Sequence, residues 1–238
     1  MSKKIKFLTI VLVLSALMLI ATNFNVKAQT TATVAVLSSV GGTTSPAGGT
    51  SNSYTVGQNQ SFTATPSSGW QFFYWIVTTA AGANTYTTSS LSWNVTGAGS
   101  VQAMFLPTTN ATQTPSGSGT SSFLVELSAD GSTTPAAGTQ NYTIGSTATF
   151  TATPGTGFKF VCWVVAPSTG GVVYTDSTLN YNVTNSGCAI QAMFVPTSSS
   201  VTLPSIVPEF SSAAIAILAI ALVAVAFGTV VVTRKLKK

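Results

Sequence analysis

Apolar and β-branched residues recur at every second position in short runs across most of the chain, and Gly, Pro and Asn break those runs. A period of two with Thr, Val, Tyr, Phe and Trp dominant is the pattern of half-buried strands. It predicts strands at 33–38, 52–56, 60–65, 71–78, 86–94 and 100–106. It predicts a second set at 122–127, 140–144, 147–153, 159–166, 173–182 and 189–195. Away from the termini no segment keeps a helical period for three turns, so this part of the chain is predicted to be all-β. The strand after Gly69 is apolar at both parities: Trp70, Phe72, Tyr74 and Ile76 on one, Phe73, Trp75 and Val77 on the other. Such a strand is predicted to be covered on both faces.

The two sets of strands are one module written twice. Phe62-Thr63-Ala64-Thr65-Pro66 returns as Phe150-Thr151-Ala152-Thr153-Pro154, and Gln102-Ala103-Met104-Phe105 returns as Gln191-Ala192-Met193-Phe194. Gly69-Trp70-Gln71-Phe72 through Trp75 corresponds to Gly157-Phe158-Lys159-Phe160 through Trp163. Modules are assigned to 32–107 and 122–197, with Trp75 and Trp163 expected to anchor their cores. Residues 108–121 are rich in Thr, Ser, Pro and Gly and read as a linker, and 198–212 reads as a stalk.

The termini depart from this pattern. Lys3, Lys4 and Lys6 precede the apolar run Phe7–Ala21, and small residues follow at Val26-Lys27-Ala28. This reads as a secretory signal over 1–28 with cleavage after Ala28, or as an uncleaved signal anchor. Ala213–Val232 is apolar and uncharged, and about 20 helical residues span the roughly 30 Å hydrocarbon core of a bilayer. A transmembrane helix at 213–232 with the basic tail 233–238 in the cytoplasm would place both modules outside the cell.

The formal charge of +5 changes meaning once located. Between the termini Lys159 is the one basic residue, against Glu126, Asp130, Asp176 and Glu209. Nothing there would neutralise a phosphate backbone, so nucleic acid is not expected as a partner. The chain has no histidine, its carboxylates are not paired for acid–base work, and its hydroxyls and thiols lack a base. No catalytic residue, cofactor site or metal set is therefore expected.

Several other residues are candidates for chemistry. Cys162 replaces Tyr74 of the first copy and Cys188 replaces Gly99. A gain of both cysteines in one copy of an exported chain suggests a cross-strand disulfide, the alternative being two thiols. Closing a loop of about 25 residues would contribute roughly 3 kcal/mol. Asn59, Asn94, Asn110, Asn141 and Asn182 head Asn-x-Ser/Thr sequons, with Asn110 expected to be the most accessible. Trp70, Trp93 and Phe73 have smaller or different counterparts in the second copy, Phe158, Tyr181 and Val161. Trp70 and Trp93 are either core rings or an exposed platform on which a sugar ring could stack.

The ordered elements Gly42/Pro46, Tyr54/Gly57, Phe62–Pro66, Gly69/Phe72, Trp75 and Ala103/Phe105 resemble the divergent internalin-B type B-repeat. The second copy repeats them as Gly131/Pro135, Tyr142/Gly145, Phe150–Pro154, Gly157/Phe160, Trp163 and Ala192/Phe194. The resemblance covers about two-thirds of the chain. It implies compact, β-grasp-like modules serving as spacers or adhesion units in bacterial and archaeal surface proteins. Pro208-Glu209-Phe210, just before the apolar span, is similar to the PEF-type sorting signal of archaeal surface proteins, whose tails a sortase-like enzyme processes; a chance tripeptide before an ordinary anchor is the alternative. Together these features predict a membrane-anchored protein displaying two β-repeats for adhesion or envelope structure, with envelope proteins or surface glycans as partners. A carbohydrate-binding module built on Trp70 and Trp93 is the other reading.

Overall fold

A computed structural model describes residues 29–111, 117–167, 170–184 and 187–204. The signal segment 1–28, the membrane span 213–232, the basic tail 233–238 and Pro208-Glu209-Phe210 lie outside the described residues. The chain divides into a unit Met1–Thr30 and a unit Thr31–Lys238, and the second holds both repeats.

Module 1 contains β1 (Thr31–Leu37), β2 (Gly42–Ser45), β3 (Thr50–Thr55), β4 (Asn59–Pro66), β5 (Trp70–Thr79), β6 (Gly82–Tyr86), β7 (Ser90–Asn94) and β8 (Gly99–Pro107). Module 2 repeats them as β9 (Thr120–Val125), β10 (Gly131–Thr134), β11 (Gly138–Thr143), β12 (Thr147–Pro154), β13 (Phe158–Ala166), β14 (Val172–Tyr174), β15 (Thr178–Asn182) and β16 (Cys188–Pro196). Each module builds a five-stranded sheet, β3-β1-β8-β5-β6 or β11-β9-β16-β13-β14, and a three-stranded sheet, β2-β4-β7 or β10-β12-β15. Neighbours are antiparallel except for the parallel pairs β1–β8 and β9–β16. No helix occurs among the described residues, so the β-grasp expectation, which needs a helix laid across a sheet, is not met.

The repeated motifs are the parts that close each sandwich. β4 alternates buried Phe62 and Ala64 with exposed Thr63 and Thr65, as a strand with one wet face must. Phe62 meets Trp75 edge-on at 6.3 Å, and Phe150 meets Trp163 at 6.1 Å. The indole nitrogens of Trp75 and Trp163 donate to Ser89 O and Ser177 O, each at 3.2 Å, so burying these rings strands no polar group. Ala103 lies opposite Trp75 in the ladder, where a larger side chain would compete with the indole. Phe105 and Phe194 pack directly over Gly42 and Gly131; a Cβ on Gly131 would sit 2.3 Å from the Phe194 ring. Gly42→Ala and Gly131→Ala are accordingly expected to cost about 1–3 kcal/mol each through overpacking, read from urea midpoints. A cost near zero would mean that these rings are not held in place.

A β-bulge changes which residues face the core. The register between β5 and β8 shifts between Phe72 and Tyr74, and that between β13 and β16 shifts between Phe160 and Cys162. Simple alternation would group Trp70 and Phe72 with Tyr74 and Ile76. Instead the extra residue Phe73 reverses the parity. Phe72 joins Trp75 and Val77 against the three-stranded sheet, Tyr74 and Ile76 face the opposite way, and Trp70 packs on both clusters.

That opposite face is where the modules meet. Tyr74, Ile76, Met104 and Leu106 form one buried cluster with Cys162, Val164, Met193 and Val195 of module 2. The layers therefore run three-, five-, five- and three-stranded, with one core inside each module and a third between them. The strand predicted to be covered on both faces is covered, and its second cover is the other repeat. The segment read as a linker is pinned where it is described: Thr108 N donates to Gly69 O at 2.9 Å, and Ala111 N to Gly171 O at 2.8 Å. The beginning of the expected stalk folds back as well. Lys159 Nζ donates to Ser199 O at 3.1 Å, and Val201 and Leu203 pack on the shared core.

Candidate functional site

The most constrained chemistry lies at the joint between the modules. Gln102 and Gln191 sit on β8 and β16 at equivalent positions and are both 0% exposed. Gln102 Oε1 accepts from Ala129 N at 2.9 Å, and Gln191 Oε1 accepts from Val40 N at 3.0 Å. Val40 and Ala129 also occupy equivalent positions, so each glutamine caps the other module's loop. Gln102 Nε2 donates to Ser38 O at 2.6 Å and to Leu127 O at 2.8 Å, and Gln191 Nε2 reaches Leu127 O at 3.4 Å. A buried amide satisfied in this way fixes the placement of one sheet on the other, because any slip would strand its donors. The Gln-Ala-Met-Phe repeat carried the signal: a polar residue recurs inside two otherwise apolar strands.

Two further contacts cross the joint without a symmetric counterpart. Tyr74 OH donates to Phe194 O at 3.0 Å, and Thr78 Oγ1 donates to Asp130 Oδ2 at 2.5 Å. Cys162 occupies the position of Tyr74 in the second copy, with its Sγ 3.8 Å from Met193 Sδ. Both residues belong to the shared cluster, so the small thiol at one position leaves volume for the phenol at the other.

This arrangement overturns the disulfide. Cys162 faces the shared core and Cys188 the internal core of module 2, on opposite faces of one sheet. Cys162 pairs with Met193 in the ladder while Cys188 begins β16, far along the strand. The two are unbridged, because a disulfide cannot pass through a sheet. Burial raises the Cys188 thiol above its ordinary value, and a hydrogen bond with Tyr181 partly opposes this.

The Trp70–Trp93 pair does not form an exposed platform. Trp93 is 8% exposed and packs in the module 1 core with Phe62. Trp70 is half-buried: its ring packs on Gly41 and on Gly171, and it pairs with Pro107 in the ladder. Trp93 presents no open face, so the two rings do not make a shared platform. Phe73, the bulge residue, stacks edge-on to Tyr74 at 4.9 Å.

The sequon residues Asn59, Asn94, Asn141 and Asn182 are exposed on strands. Asn94 Nδ2 donates to Asn59 Oδ1 at 3.2 Å. Asn110, expected to be the most accessible, is half-buried: its Oδ1 accepts from Val173 N at 3.3 Å, and its backbone bridges to Gly171.

The titratable groups give a pH signature. Burial raises the Glu126 and Asp130 carboxyls, and for Asp130 the Thr78 hydrogen bond partly opposes the shift. The folded chain thus holds more protons than the unfolded chain just above the ordinary carboxylate range, so stability increases as pH falls through that window. Burial also raises Tyr74, Tyr174 and Tyr181, with Tyr174 carried from 10.0 to about 12. Their contribution is complete below the unfolded value near 10 and is lost as pH climbs toward about 12. Thermal melts at about pH 4, 7 and 11 are expected to show no acid weakness and a marked alkaline one. A protein weakest at the acid end would contradict these assignments.

Among the described residues no group of three or more His, Cys, Asp or Glu side chains could hold a metal, and no helix is long and apolar enough to cross a membrane. What the geometry defines is a tandem pair of two-sheet β modules docked face to face. The family model for the divergent InlB B-repeat domain matches residues 32–109 and 123–198, and the chain belongs to that family as a tandem-repeat protein. No curated protein and no solved structure matches the chain.

Proposed function

We propose that this is a membrane-anchored cell-surface protein that displays its two repeats, as one rigid body, for adhesion or envelope structure, and that it does so without catalysis. The observation that carries this reading is the docking of two B-repeats through a shared core with buried glutamines across it. A body of that kind transmits load and holds a fixed outline, as a display element requires. The terminal segments support the topology: signal at 1–28, span at 213–232, basic tail inside, and Pro208-Glu209-Phe210 as a sorting motif of the archaeal PEF type. The exposed Asn59, Asn94, Asn141 and Asn182 are the sites at which sugar would cover a surface with almost no charge.

Protease shaving of intact cells, followed by mass spectrometry, tests the topology. Released peptides from both modules, the first beginning at Gln29, support it. Protection of both modules in intact cells, with cleavage only after lysis, contradicts it.

A further inference from the structure

The Asn-x-Ser/Thr sequons are alike in sequence but not in the folded chain. Asn59 heads β4 and Asn94 ends β7, and the two stand opposite each other in the ladder. Directly opposed side chains of an antiparallel pair lie about 5 Å apart at Cβ and leave the sheet on the same side. That spacing is no wider than one sugar ring, so the pair accommodates a single glycan.

Hydrogen bonding decides which residue bears it. N-glycosylation replaces a hydrogen on the asparagine amide nitrogen, and Asn94 Nδ2 is already engaged, donating to Gly57 O at 3.0 Å and to Asn59 Oδ1 at 3.2 Å. A backbone carbonyl only accepts, so the contact with Gly57 O fixes which end of the Asn94 amide is nitrogen. Asn59 enters the pair through Oδ1, an atom that glycosylation leaves unchanged. Ser61, the hydroxyl of its sequon, is exposed with it, since residues two apart on a strand share a face. Asn59–Ser61 is paired with β7 alone, because β2 reaches β4 only from Thr63 onward.

Module 2 selects differently. Asn182 is the counterpart of Asn94 and faces Thr147, so no second asparagine competes with it. The hydroxyl of its sequon is the obstacle: Thr184 is 3% exposed and hydrogen-bonded to Tyr181 of the core. A sequon is read through its asparagine and its hydroxyl together. Asn141 and Thr143 meet that requirement, both exposed on β11, the outer strand of its sheet. Asn110 does not, being half-buried with its Oδ1 on Val173 N and its backbone bridged to Gly171. We propose that the folded modules carry one N-glycan each, on Asn59 and on Asn141, and that Asn94, Asn110 and Asn182 stay bare. In the transfer, Asn Nδ2 attacks C1 of a phosphate-activated sugar. The N–C1 bond forms, the C1–O bond breaks with its electron pair leaving on the phosphate, and a base of the transferase takes the Nδ2 proton. The inference rests on the cell-surface reading above, because transfer acts on the exported chain, and it narrows the sugar-bearing sites named there.

The test is glycopeptide mass spectrometry of the full chain purified from its own cells. The expected result is sugar on Asn59 and Asn141 and unmodified peptides at Asn94, Asn110 and Asn182. Two variants at exposed positions each delete one module 1 sequon while keeping both asparagines. Ser61→Ala should strip module 1 of its glycan, with none gained at Asn94, whereas Thr96→Ala should leave its occupancy unchanged. Sugar on Asn94, alone or beside Asn59 on one molecule, would overturn the assignment, and so would sugar on Asn110 or Asn182. A chain without any sugar would overturn it too. Protease shaving separates this inference from the reading beneath it. Bare modules released from intact cells would remove the glycans and leave the topology standing, whereas modules protected until lysis would remove the topology itself.

Discussion

Expressed apart, neither module is expected to remain a soluble monomer. In the intact chain Tyr74, Ile76, Met104 and Leu106 are fully buried against module 2. Separation would return these side chains to water. Each large apolar side chain contributes roughly 1.5–3 kcal/mol on full burial, so roughly 6–12 kcal/mol is at stake, as much as the whole stability of a small domain. Units of this size have little core to spare, and an exposed apolar sheet face of this extent drives association. Module 1 alone should dimerise through that face or aggregate, whereas the joined pair stays monomeric; gel filtration with light scattering distinguishes these outcomes. Two well-folded monomers would show that the shared core is dispensable.

The second large effect is expected at Gln102. Its amide serves Ser38 O, Leu127 O and Ala129 N, and no water reaches it. Gln102→Ala leaves those groups buried, two of them without a replacement partner, and should cost roughly 2–5 kcal/mol. In a body of this size that lowers Tm by about 6–15 °C. Gln191→Ala should cost less, because Gln191 serves Val40 N and only a long 3.4 Å contact to Leu127 O. Gln102→Glu should be the worst of the three: it removes both N–H donors and introduces a charge with no cation nearby. Equal costs at Gln102 and Gln191 would mean that the asymmetric hydrogen-bonding pattern has no energetic consequence.

Much of this architecture was legible in the sequence, and the parts that were not have identifiable causes. Period-two runs located the long strands, and the doubled motifs located the modules, because both signals are local. β2 and β10 escaped notice because Gly42-Thr43-Thr44-Ser45 and Gly131-Ser132-Thr133-Thr134 carry no large apolar residue. The predicted strand 86–94 is two elements: β6 ends at Tyr86 in one sheet and β7 begins at Ser90 in the other. Thr87-Thr88-Ser89 makes that crossing with neither Gly nor Pro to mark it.

The candidate sites fared worse because each depended on facing. The bulge at Phe73 inverts parity, which alternation alone cannot show. Cys162 and Cys188 looked like a pair by their shared appearance in one copy, yet they lie on opposite faces of a sheet. Trp93 could be read as a core ring or as a platform, because module size left open which rings fill the core. The apolar outer face of β5 was visible, but what covers it is a long-range fact that no local pattern holds. The buried glutamines were visible too, as a repeated motif whose polar first residue had no assigned task.

The two repeats fold as one body, and transmitted destabilisation tests this most directly. Trp163 is the tryptophan of module 2 and Trp70 packs on Gly171 across the joint, so in Trp70→Phe/Trp163→Phe the indole fluorescence reports module 1 through Trp75 and Trp93. Adding Phe150→Ala, deep in the module 2 core, removes about 3–5 kcal/mol from that module. If the shared core couples the repeats, the urea midpoint reported by module 1 falls with it. An unchanged midpoint would mean that the repeats unfold independently and that the rigid-body account is wrong.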